Sequence, residues 1–343
     1  MISLNEQAPV GKDKGPILEI DGLKKYFPVK GGVFLRTKAQ LKAVDDVSLS
    51  IMPGETLGLV GESGCGKSTL GKCVCRLHDP TAGQIRFKGN NISSLSGKAL
   101  KPYRRDIQMI FQDPAESLNS RHSVGNILEE PLLIHGVKNP QERRKKVAKI
   151  LDTVGLPSDS VNRFPFEFSG GQRQRIGIAR AITLNPELVV CDEPVSALDV
   201  SVQSQILNLM MDLQKEFNLS YLFIAHDLAV VKHISDRIAI MYLGKIVELG
   251  PADEIFLHPL HAYTKALISA IPLPEPHADR KRILLQGDVP SPIDPPPGCA
   301  FARRSWIPCA EEDLEKPGEF KEVSPGHWVE VHPGTVENYQ DYL

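Results

Sequence analysis

No apolar run in the 343-residue chain approaches the roughly 18 residues that a membrane-spanning helix needs. The first residues, MISLNEQAPVGKDKGP, also lack the long apolar stretch of a secretory signal peptide. We therefore expect a cytoplasmic chain that reaches a membrane only through a partner protein.

The sequence also lacks an excess of charge of either sign. Its 40 basic and 42 acidic residues give a formal net charge of −2, so no global basic field favours nucleic acid as a partner. The cluster at residues 142–146 has helical spacing and is interpreted as a solvated helix face. Length and ordinary composition indicate about two domains with a substantial core.

Cysteine is scarce, and the six residues of this type include no CxxC pair. We interpret them as reduced thiols of a cytosolic protein. They are Cys65, Cys73, Cys75, Cys191, Cys299 and Cys309.

The segment GESGCGKSTL, residues 61–70, matches the phosphate-binding loop G-x-x-x-x-G-K-[ST] in full. Its glycines let backbone N–H groups surround phosphates, and the following helix N-terminus adds partial positive charge. Lys67 is expected to reach the β- and γ-phosphates of ATP, and Ser68 to coordinate Mg²⁺. The predicted nucleotide-binding residues here are Gly61, Glu62, Ser63, Gly64, Cys65, Gly66, Lys67, Ser68 and Thr69.

A second acidic motif follows the apolar run LVVC at residues 188–191. This run predicts a buried strand that carries Asp192 and Glu193 to its end. Asp192 is expected to act on Mg²⁺, directly or through water, and Glu193 to polarise the attacking water as a general base.

Alternation of short apolar runs with helical periodicity predicts an α/β fold with a mainly parallel sheet covered on both faces. Strands are expected at residues 17–25 and 41–51, with a polar excursion between them, and in the segments TLGLV, GQIRFKGNNIS, IQMIFQDP, ELVVCDEP and SYLFIAHD. Helices are expected at residues 67–78, 124–156 and 200–216. The composition becomes proline-dense near residue 272, as in semi-rigid spacers.

The segment FSGGQRQRIGIARAI, residues 168–182, resembles the signature of ABC-transporter ATPases. In that family this segment completes the nucleotide site of the opposite subunit in a head-to-tail dimer. The resemblance assigns this role to Ser169, Gly170, Gly171 and Gln172.

Further segments resemble the remaining motifs of the family. Gln112 in FQDP is similar to the glutamine that senses Mg²⁺ and faces the transmembrane partner, and His226 in IAHD to the switch histidine at the γ-phosphate. The segment SALD, residues 196–199, resembles the loop that crosses the dimer interface, and Asp199 is its last residue. Tyr26 in LKKYFP matches the adenine-stacking aromatic, with Phe27 as the alternative. The implied catalytic residues are Glu193, His226, Lys67 and Gln112, and the implied metal-binding residues are Ser68, Gln112 and Asp192.

The resemblance implies a P-loop NTPase fold of the ABC ATPase type, with an antiparallel β subdomain and a helical signature subdomain at about residues 115–170. Residues 1–16 are predicted to be a flexible N-terminus and residues 17–259 the ATPase domain. Residues 260–343 are predicted to form a C-terminal extension, packed as a small structural cap.

The chain most resembles the second, F-type ATPase subunit of oligopeptide and dipeptide importers, on motifs that include IQMIFQDPAESLN and the tail LQGDVPSPIDPPPGCAF. This implies peptide transport, ATP and Mg²⁺ as ligands, and a peripheral position at the cytoplasmic face of the cell (inner) membrane. The implied partners are two transmembrane permease subunits, a sister ATPase in a heterodimer rather than a homodimer, and an extracytoplasmic substrate-binding protein.

Cysteines mark two departures from this pattern. Many relatives carry cysteines in this tail, and in some of them these cysteines ligate an iron–sulfur cluster. Here Cys299 is kept, but the later positions hold Ser305, Glu312 and Val331, and Cys309 is out of register. Such a cluster needs about four thiolates. No cluster is therefore expected. Cys65 lies inside the phosphate loop, where Lys67 and the helix N-terminus are expected to favour its thiolate; the alternative is a small filler residue without a redox role. Thiol reagents should then inhibit the ATPase, and ATP should protect.

Two other functions are alternatives to an importer ATPase: a non-transport ABC ATPase of DNA repair or translation, and a regulatory nucleotide sensor. DNA-repair enzymes of this class carry long coiled coils between the motifs, and translation factors usually carry two tandem cassettes, whereas this chain has one. A regulatory nucleotide sensor with poor hydrolysis is opposed by Glu193 and His226. The cargo stays open among peptide, nickel, opine and oligosaccharide.

Overall fold

The computed structural model of the chain describes residues 15–31, 36–271, 282–293, 295 and 297–342. The strands in these residues are β1 (Leu18–Gly31), β2 (Arg36–Ile51), β3 (Thr56–Val60), β4 (Ala82–Phe87), β5 (Asn90–Asn91), β6 (Ile107–Ile110), β7 (Leu188–Asp192), β8 (Ser220–Ala225), β9 (Arg237–Tyr242), β10 (Lys245–Pro251), β11 (Glu319–Ser324) and β12 (His327–Val331). The helices are α1 (Lys67–Val74), α2 (Gly97–Leu100), α3 (Tyr103–Asp106), α4 (Pro114–Ser117), α5 (Val124–Ile134), α6 (Pro140–Thr153), α7 (Gly170–Ile182), α8 (Val200–Phe217), α9 (Leu228–Ile234), α10 (Ala252–Leu257), α11 (Ala262–Ser269) and α12 (Glu311–Leu314). Single turns of 3₁₀ helix lie at Ser158–Asn162, Pro165–Glu167, Ala302–Arg304 and Tyr339–Tyr342.

The larger sheet has eight strands in the order β11-β12-β10-β9-β3-β8-β7-β6. Strands β9, β3, β8, β7 and β6 are parallel to one another, and β10, β12 and β11 continue the sheet in antiparallel pairing. The predicted α/β fold with a mainly parallel core is confirmed. Because the carboxyl ends of parallel strands meet at one edge, the loops after β3, β6, β7 and β8 converge there.

The smaller sheet has the order β2-β1-β4-β5 and is antiparallel, as predicted for the β subdomain. Strands β1 and β2 are longer than the sequence predicted. Val29 pairs with Ala39 and Lys30 with Thr37, so the hairpin extends into the segment expected to be a polar excursion. Cross-strand pairing satisfies the backbone hydrogen bonds there without requiring apolar side chains.

The helical periodicity of residues 124–156 belongs to two helices, α5 and α6, instead of one. Gly136 between them has a φ of 94°, a left-handed conformation that ends a helix. The side chain of Asn139 then caps α6, accepting hydrogen bonds from the N–H groups of Gln141 and Glu142, and Pro140 occupies the first turn. Helix α1 is also shorter than predicted, ending at Val74 shortly before Arg76, whose φ is 52°.

The C-terminal region adds to the ATPase core in two ways. Strand β12 pairs with β10, so β12 and β11 extend the larger sheet. Cys299, Phe301 and Ala302 are buried within the main hydrophobic cluster. The exact boundary predicted at residue 260 stays a prediction, and part of the proline-dense segment, residues 272–281, lies outside the described residues.

Candidate active site

The phosphate loop connects the end of β3 to the start of α1, as its motif requires. Gly64 and Gly66 have φ values of 81° and 113°, which only glycine adopts without strain. A Cβ atom on Gly66 would lie 2.0 Å from the backbone oxygen of Ala43. The second glycine of the motif is therefore required both by backbone conformation and by the close approach of strand β2.

Lys67 begins α1, and only 4% of its surface is exposed. Its ammonium group donates hydrogen bonds to the backbone oxygens of Gly61 at 2.7 Å and Glu62 at 3.0 Å. The loop thus folds back over its own lysine, which holds a positive charge against the segment predicted to bind phosphates.

The predicted metal-binding pair Ser68 and Asp192 is brought together from α1 and the end of β7. The Ser68 hydroxyl donates to Asp192 Oδ1 at 2.7 Å. Asp192 is 3% exposed, and this burial raises the pKa of its carboxyl group, with the Ser68 hydrogen bond opposing the shift. A hydroxyl and a carboxylate side by side are hard oxygen donors, the ligand type that Mg²⁺ takes. The site therefore fits the predicted ion.

Glu193 lies at the centre of the predicted catalytic residues. Gln112 Nε2 donates to Glu193 Oε2 at 2.9 Å, and His226 Nδ1 lies 3.4 Å from the same oxygen. These three side chains follow β6, β7 and β8, whose carboxyl ends share one edge of the sheet. A carboxylate oriented by an amide and an imidazole has the form of a positioned general base.

The backbone at Glu193 has a φ of 46°, in the left-handed region that residues other than glycine seldom occupy. Its N–H donates to the backbone oxygen of Ile224 at 2.9 Å, which holds this conformation at the end of the sheet. Such backbone strain is typical of functional sites and costs on the order of 1–3 kcal/mol.

The signature segment begins α7, where Ser169 is the N-cap. Its Oγ accepts from the N–H of Gln172 at 3.4 Å, and Gln172 Oε1 accepts from the N–H of Ser169 at 3.0 Å. A Cβ atom on Gly171 would lie 2.6 Å from Val202 Cγ1, so this glycine allows α7 to pack closely against α8. The predicted contact of Gly170 and its neighbours with a second subunit's nucleotide stays a prediction.

Asp199 is the N-cap of α8 and accepts hydrogen bonds from the N–H of Val202 at 3.0 Å and the hydroxyl of Ser201 at 2.8 Å. The hydrogen bond from Val202 has the largest effect and lowers the pKa of the Asp199 carboxyl group. The bond from Ser201 lowers it further. The predicted role of Asp199 at a dimer interface stays a prediction.

Tyr26 lies on β1. This strand pairs with β2, which approaches the phosphate loop at Ala43. The Tyr26 hydroxyl donates to the Asp45 carboxylate, and the Lys42 ammonium lies 5.8 Å from the Tyr26 ring centre. Burial raises the pKa of the Tyr26 hydroxyl, and the hydrogen bond to Asp45 raises it further. Phe27, the alternative, packs edge-on against the His78 ring at 5.6 Å. Adenine stacking by Tyr26 stays a prediction.

The prediction that Cys65 is poised as a thiolate is wrong. Its side chain is 6% exposed, and burial raises the pKa of the thiol even though Lys67 Nζ lies 3.8 Å from Sγ and acts in the opposite direction. The desolvation of the charged form therefore outweighs the attraction of the cation.

We expect iodoacetamide to alkylate Cys65 more slowly at pH 7.5 than it alkylates free cysteine. The thiolate is the reactive form. With a raised pKa, the rate should rise about tenfold per pH unit from pH 7 until the pH reaches that pKa. Peptide mass spectrometry of the modified chain, with and without ATP, measures this rate. A fast, pH-independent reaction between pH 6 and 8 would contradict the raised pKa.

Two contacts of the phosphate loop were missed by sequence reasoning. The N–H of Glu62 donates to the Tyr263 hydroxyl at 2.8 Å, and Arg304 Nη1 lies 3.1 Å from Glu62 Oε2. Tyr263 and Arg304 are 201 and 242 positions away along the chain, so no local pattern connects them to the loop. The tail pattern GC-x-F-x-x-R, which ends at Arg304, is the sequence signal that could have pointed to this arginine.

Comparison with known proteins agrees with this geometry. The ABC transporter family matches residues 44–196, and the family "oligopeptide/dipeptide transporter, C-terminal region" matches residues 247–309. The oligopeptide transport ATP-binding protein AppF of Bacillus subtilis is 54% identical, over 92% of this chain and 97% of that protein. The dipeptide transport ATP-binding protein DppF of Haemophilus influenzae is 52% identical, over 86% and 90%.

Solved structures agree as well. An ATP-binding cassette determined as a dimer in a post-hydrolysis state with ADP and phosphate has a TM-score of 0.61 and 28% identity, covering 68% of this chain and 98% of that one. No helix in the described part of the chain is long and apolar enough to cross a membrane. The chain therefore belongs to the ABC transporter family, as an ATPase of its oligopeptide/dipeptide ATP-binding branch.

Proposed function

We propose that this chain hydrolyses ATP with Glu193 as general base and thereby powers the import of peptides through a membrane complex. The observation that carries the proposal is the position of Glu193, whose carboxylate is contacted by Gln112 at 2.9 Å and His226 at 3.4 Å. The relatives named for oligopeptide and dipeptide transport support the cargo.

In the proposed reaction, a water oxygen attacks the γ-phosphorus of ATP while Glu193 takes a proton from that water. The bond from the γ-phosphorus to the bridging oxygen breaks, and ADP and inorganic phosphate are formed. Gln112 and His226 hold the Glu193 carboxylate in place, and Lys67 offsets the negative charge of the phosphate oxygens. Mg²⁺, held by Ser68, Asp192 and Gln112, would add charge neutralisation at the phosphates when bound.

The proposed catalytic unit is a head-to-tail dimer. ATP bound at the phosphate loop of one subunit would be covered by the Ser169 segment of the other, so that binding energy closes the dimer. A solved neighbour is a dimer with ADP and phosphate. The helix N-terminus at Ser169 suits this role because the partial positive charge at the start of a helix attracts anions.

We further propose that the helical region passes this closure to two membrane permease subunits, at the inner face of the membrane. This region exposes Leu133 and Ile134 at 55% each and Phe166 at 66%, and the Phe166 ring stacks on Phe164 at 5.7 Å. These exposed apolar side chains supply the surface that the proposed permease contact would cover. A substrate-binding protein outside the membrane completes the proposed complex.

The dimer partner is proposed to be a non-identical sister ATPase. The test is the mass in solution of the Glu193→Gln chain, with and without ATP, by size exclusion with light scattering. We expect a monomer that binds ATP, because in a heterodimer the surface that closes over the nucleotide fits the sister ATPase and not a second copy of this chain. An ATP-dependent doubling of mass would overturn the heterodimer and establish a homodimer with the same shared site.

The cargo is tested in cells that depend on an external peptide for an essential amino acid. Replacing the native chain with Glu193→Gln should abolish growth on the peptide but not on the free amino acid, because hydrolysis powers uptake. The wild-type chain expressed from a plasmid is the control and should restore growth. Unchanged growth on di- and oligopeptides, with loss of nickel or sugar uptake instead, would overturn peptide import.

A further inference from the structure

Besides the N–H of Cys65, which donates to its backbone oxygen at 3.2 Å, Glu62, the second residue of the phosphate loop, has three partners. Its N–H donates to the Tyr263 hydroxyl at 2.8 Å, and its side chain pairs with Arg304 Nη1 at 3.1 Å. Its backbone oxygen accepts from Lys67 Nζ at 3.0 Å. Two of the three partners lie outside the ATPase motifs: Tyr263 in α11 and Arg304 in the 3₁₀ turn Ala302–Arg304.

The partners of Glu62 are themselves fixed by packing. The rings of Tyr242, Tyr263 and Phe301 lie 4.9–5.3 Å from one another, and all three are fully buried. The Arg304 guanidinium packs over the Tyr242 ring at 5.8 Å, and its Nη1 lies 3.3 Å from the Tyr242 hydroxyl. Arg304 therefore reaches the loop from a rigid aromatic cluster and not from a mobile surface side chain.

The charge of Glu62 explains why such a partner matters. A carboxylate in a loop that binds a triphosphate repels the ligand, and partial burial strengthens this repulsion. The Glu62 side chain is 30% exposed and that of Arg304 is 9% exposed, so the pair is only partly screened by water. Removing Arg304 would leave an unpaired negative charge beside the phosphates.

We propose that Arg304 and Tyr263 form a clamp on Glu62 through which the C-terminal region sets the affinity of the loop for ATP. Arg304 is a positioning residue, since it contacts Glu62 and not the reacting atoms. It neutralises Glu62, and Tyr263 fixes the N–H of the same residue. ATP binding by the loop depends on neither the cargo nor the dimer partner.

The test measures the Kd of the full-length chain for Mg–ATP by equilibrium titration. Arg304→Met should weaken binding about tenfold, the effect of losing one charge-assisted hydrogen bond. Glu62→Gln alone should bind Mg–ATP more tightly than the wild type, because it removes the repelling charge and leaves the Arg304 cation in place. The double variant Glu62→Gln with Arg304→Met should recover to within about threefold of the wild type.

This rescue separates charge neutralisation from packing, because a structural defect at Arg304 would persist in the double variant. Lys265→Met is the matched control: it removes a 2.7 Å ion pair between α11 and Glu337 of the tail and should leave Kd unchanged. Thermal unfolding verifies that each variant is folded, and Arg304→Gln replaces Arg304→Met if the latter is not. Unaltered binding by the folded Arg304 variant, or a double variant as weak as the single one, would overturn the proposal.

Discussion

Replacing Glu193 with glutamine is expected to lower ATP turnover at least about 100-fold, the low end for loss of a general base. The substitution preserves size and hydrogen bonding, so Gln112 and His226 keep a partner at the end of β7. Neither Lys67 nor Ser68 is changed, and ATP binding should therefore be retained. Phosphate release under saturating ATP, together with a nucleotide titration, measures both quantities.

Glu187 provides the matched control for Glu193. It precedes β7 at the opposite end from Glu193 and pairs with Lys88 on the surface. Glu187→Gln should keep turnover within about twofold of the wild-type value. Its exposed ion pair contributes little to stability, and Glu187 lies away from the nucleotide site. If Glu193→Gln retained near-normal turnover under the same conditions, Glu193 would not be the base.

Replacing Lys67 with methionine is expected to lower turnover by about 10²- to 10³-fold and to weaken ATP binding as well. Lys67 is the group placed to balance charge on the phosphate oxygens both before and during the reaction. Methionine keeps much of the buried stem but removes the ammonium that bonds to Gly61 and Glu62. The loss should therefore appear in both kcat and the ATP Kd, unlike that of Glu193→Gln.

Lys215→Met, on the exposed face of α8, serves as the control for a lost positive charge. It should change neither parameter by more than about twofold. Isothermal titration with a slowly hydrolysed ATP analogue gives the affinity, and phosphate release gives the rate. A Lys67→Met chain that bound the analogue with wild-type affinity would remove the lysine from its role in nucleotide binding.

The position of Gln112, Glu193 and His226 at one edge of the sheet could be predicted because each follows a short buried strand. The apolar run before Asp192 and Glu193 forms β7, and those before Gln112 and His226 belong to β6 and β8. Once strands alternate with helices, parallel pairing places all these loop residues at one edge. The fold class followed from the same alternation, whereas the roles of single residues came from the family resemblance.

Other features could not be predicted from a local pattern. They depend on opposing effects on one pKa or on contacts between residues far apart in the chain. Both Lys67 and burial act on Cys65, and only the fold shows that burial is the larger effect on the thiol pKa. The two helices within residues 124–156 share one periodicity, so the break at Gly136 was invisible to a period count. Arg304 meets Glu62 across 242 positions of the chain.

Strand β12 has a consequence for how this chain can be shortened. It covers the edge of β10, and its first residue, His327, lies 2.8 Å from the fully buried carboxylate of Glu248. A chain cut after α11 would lose this neighbour and present an open strand edge, a template for aggregation. Because residues far beyond the last ATPase motif cover this edge, we expect a chain trimmed at the C-terminus to aggregate more readily than the full chain.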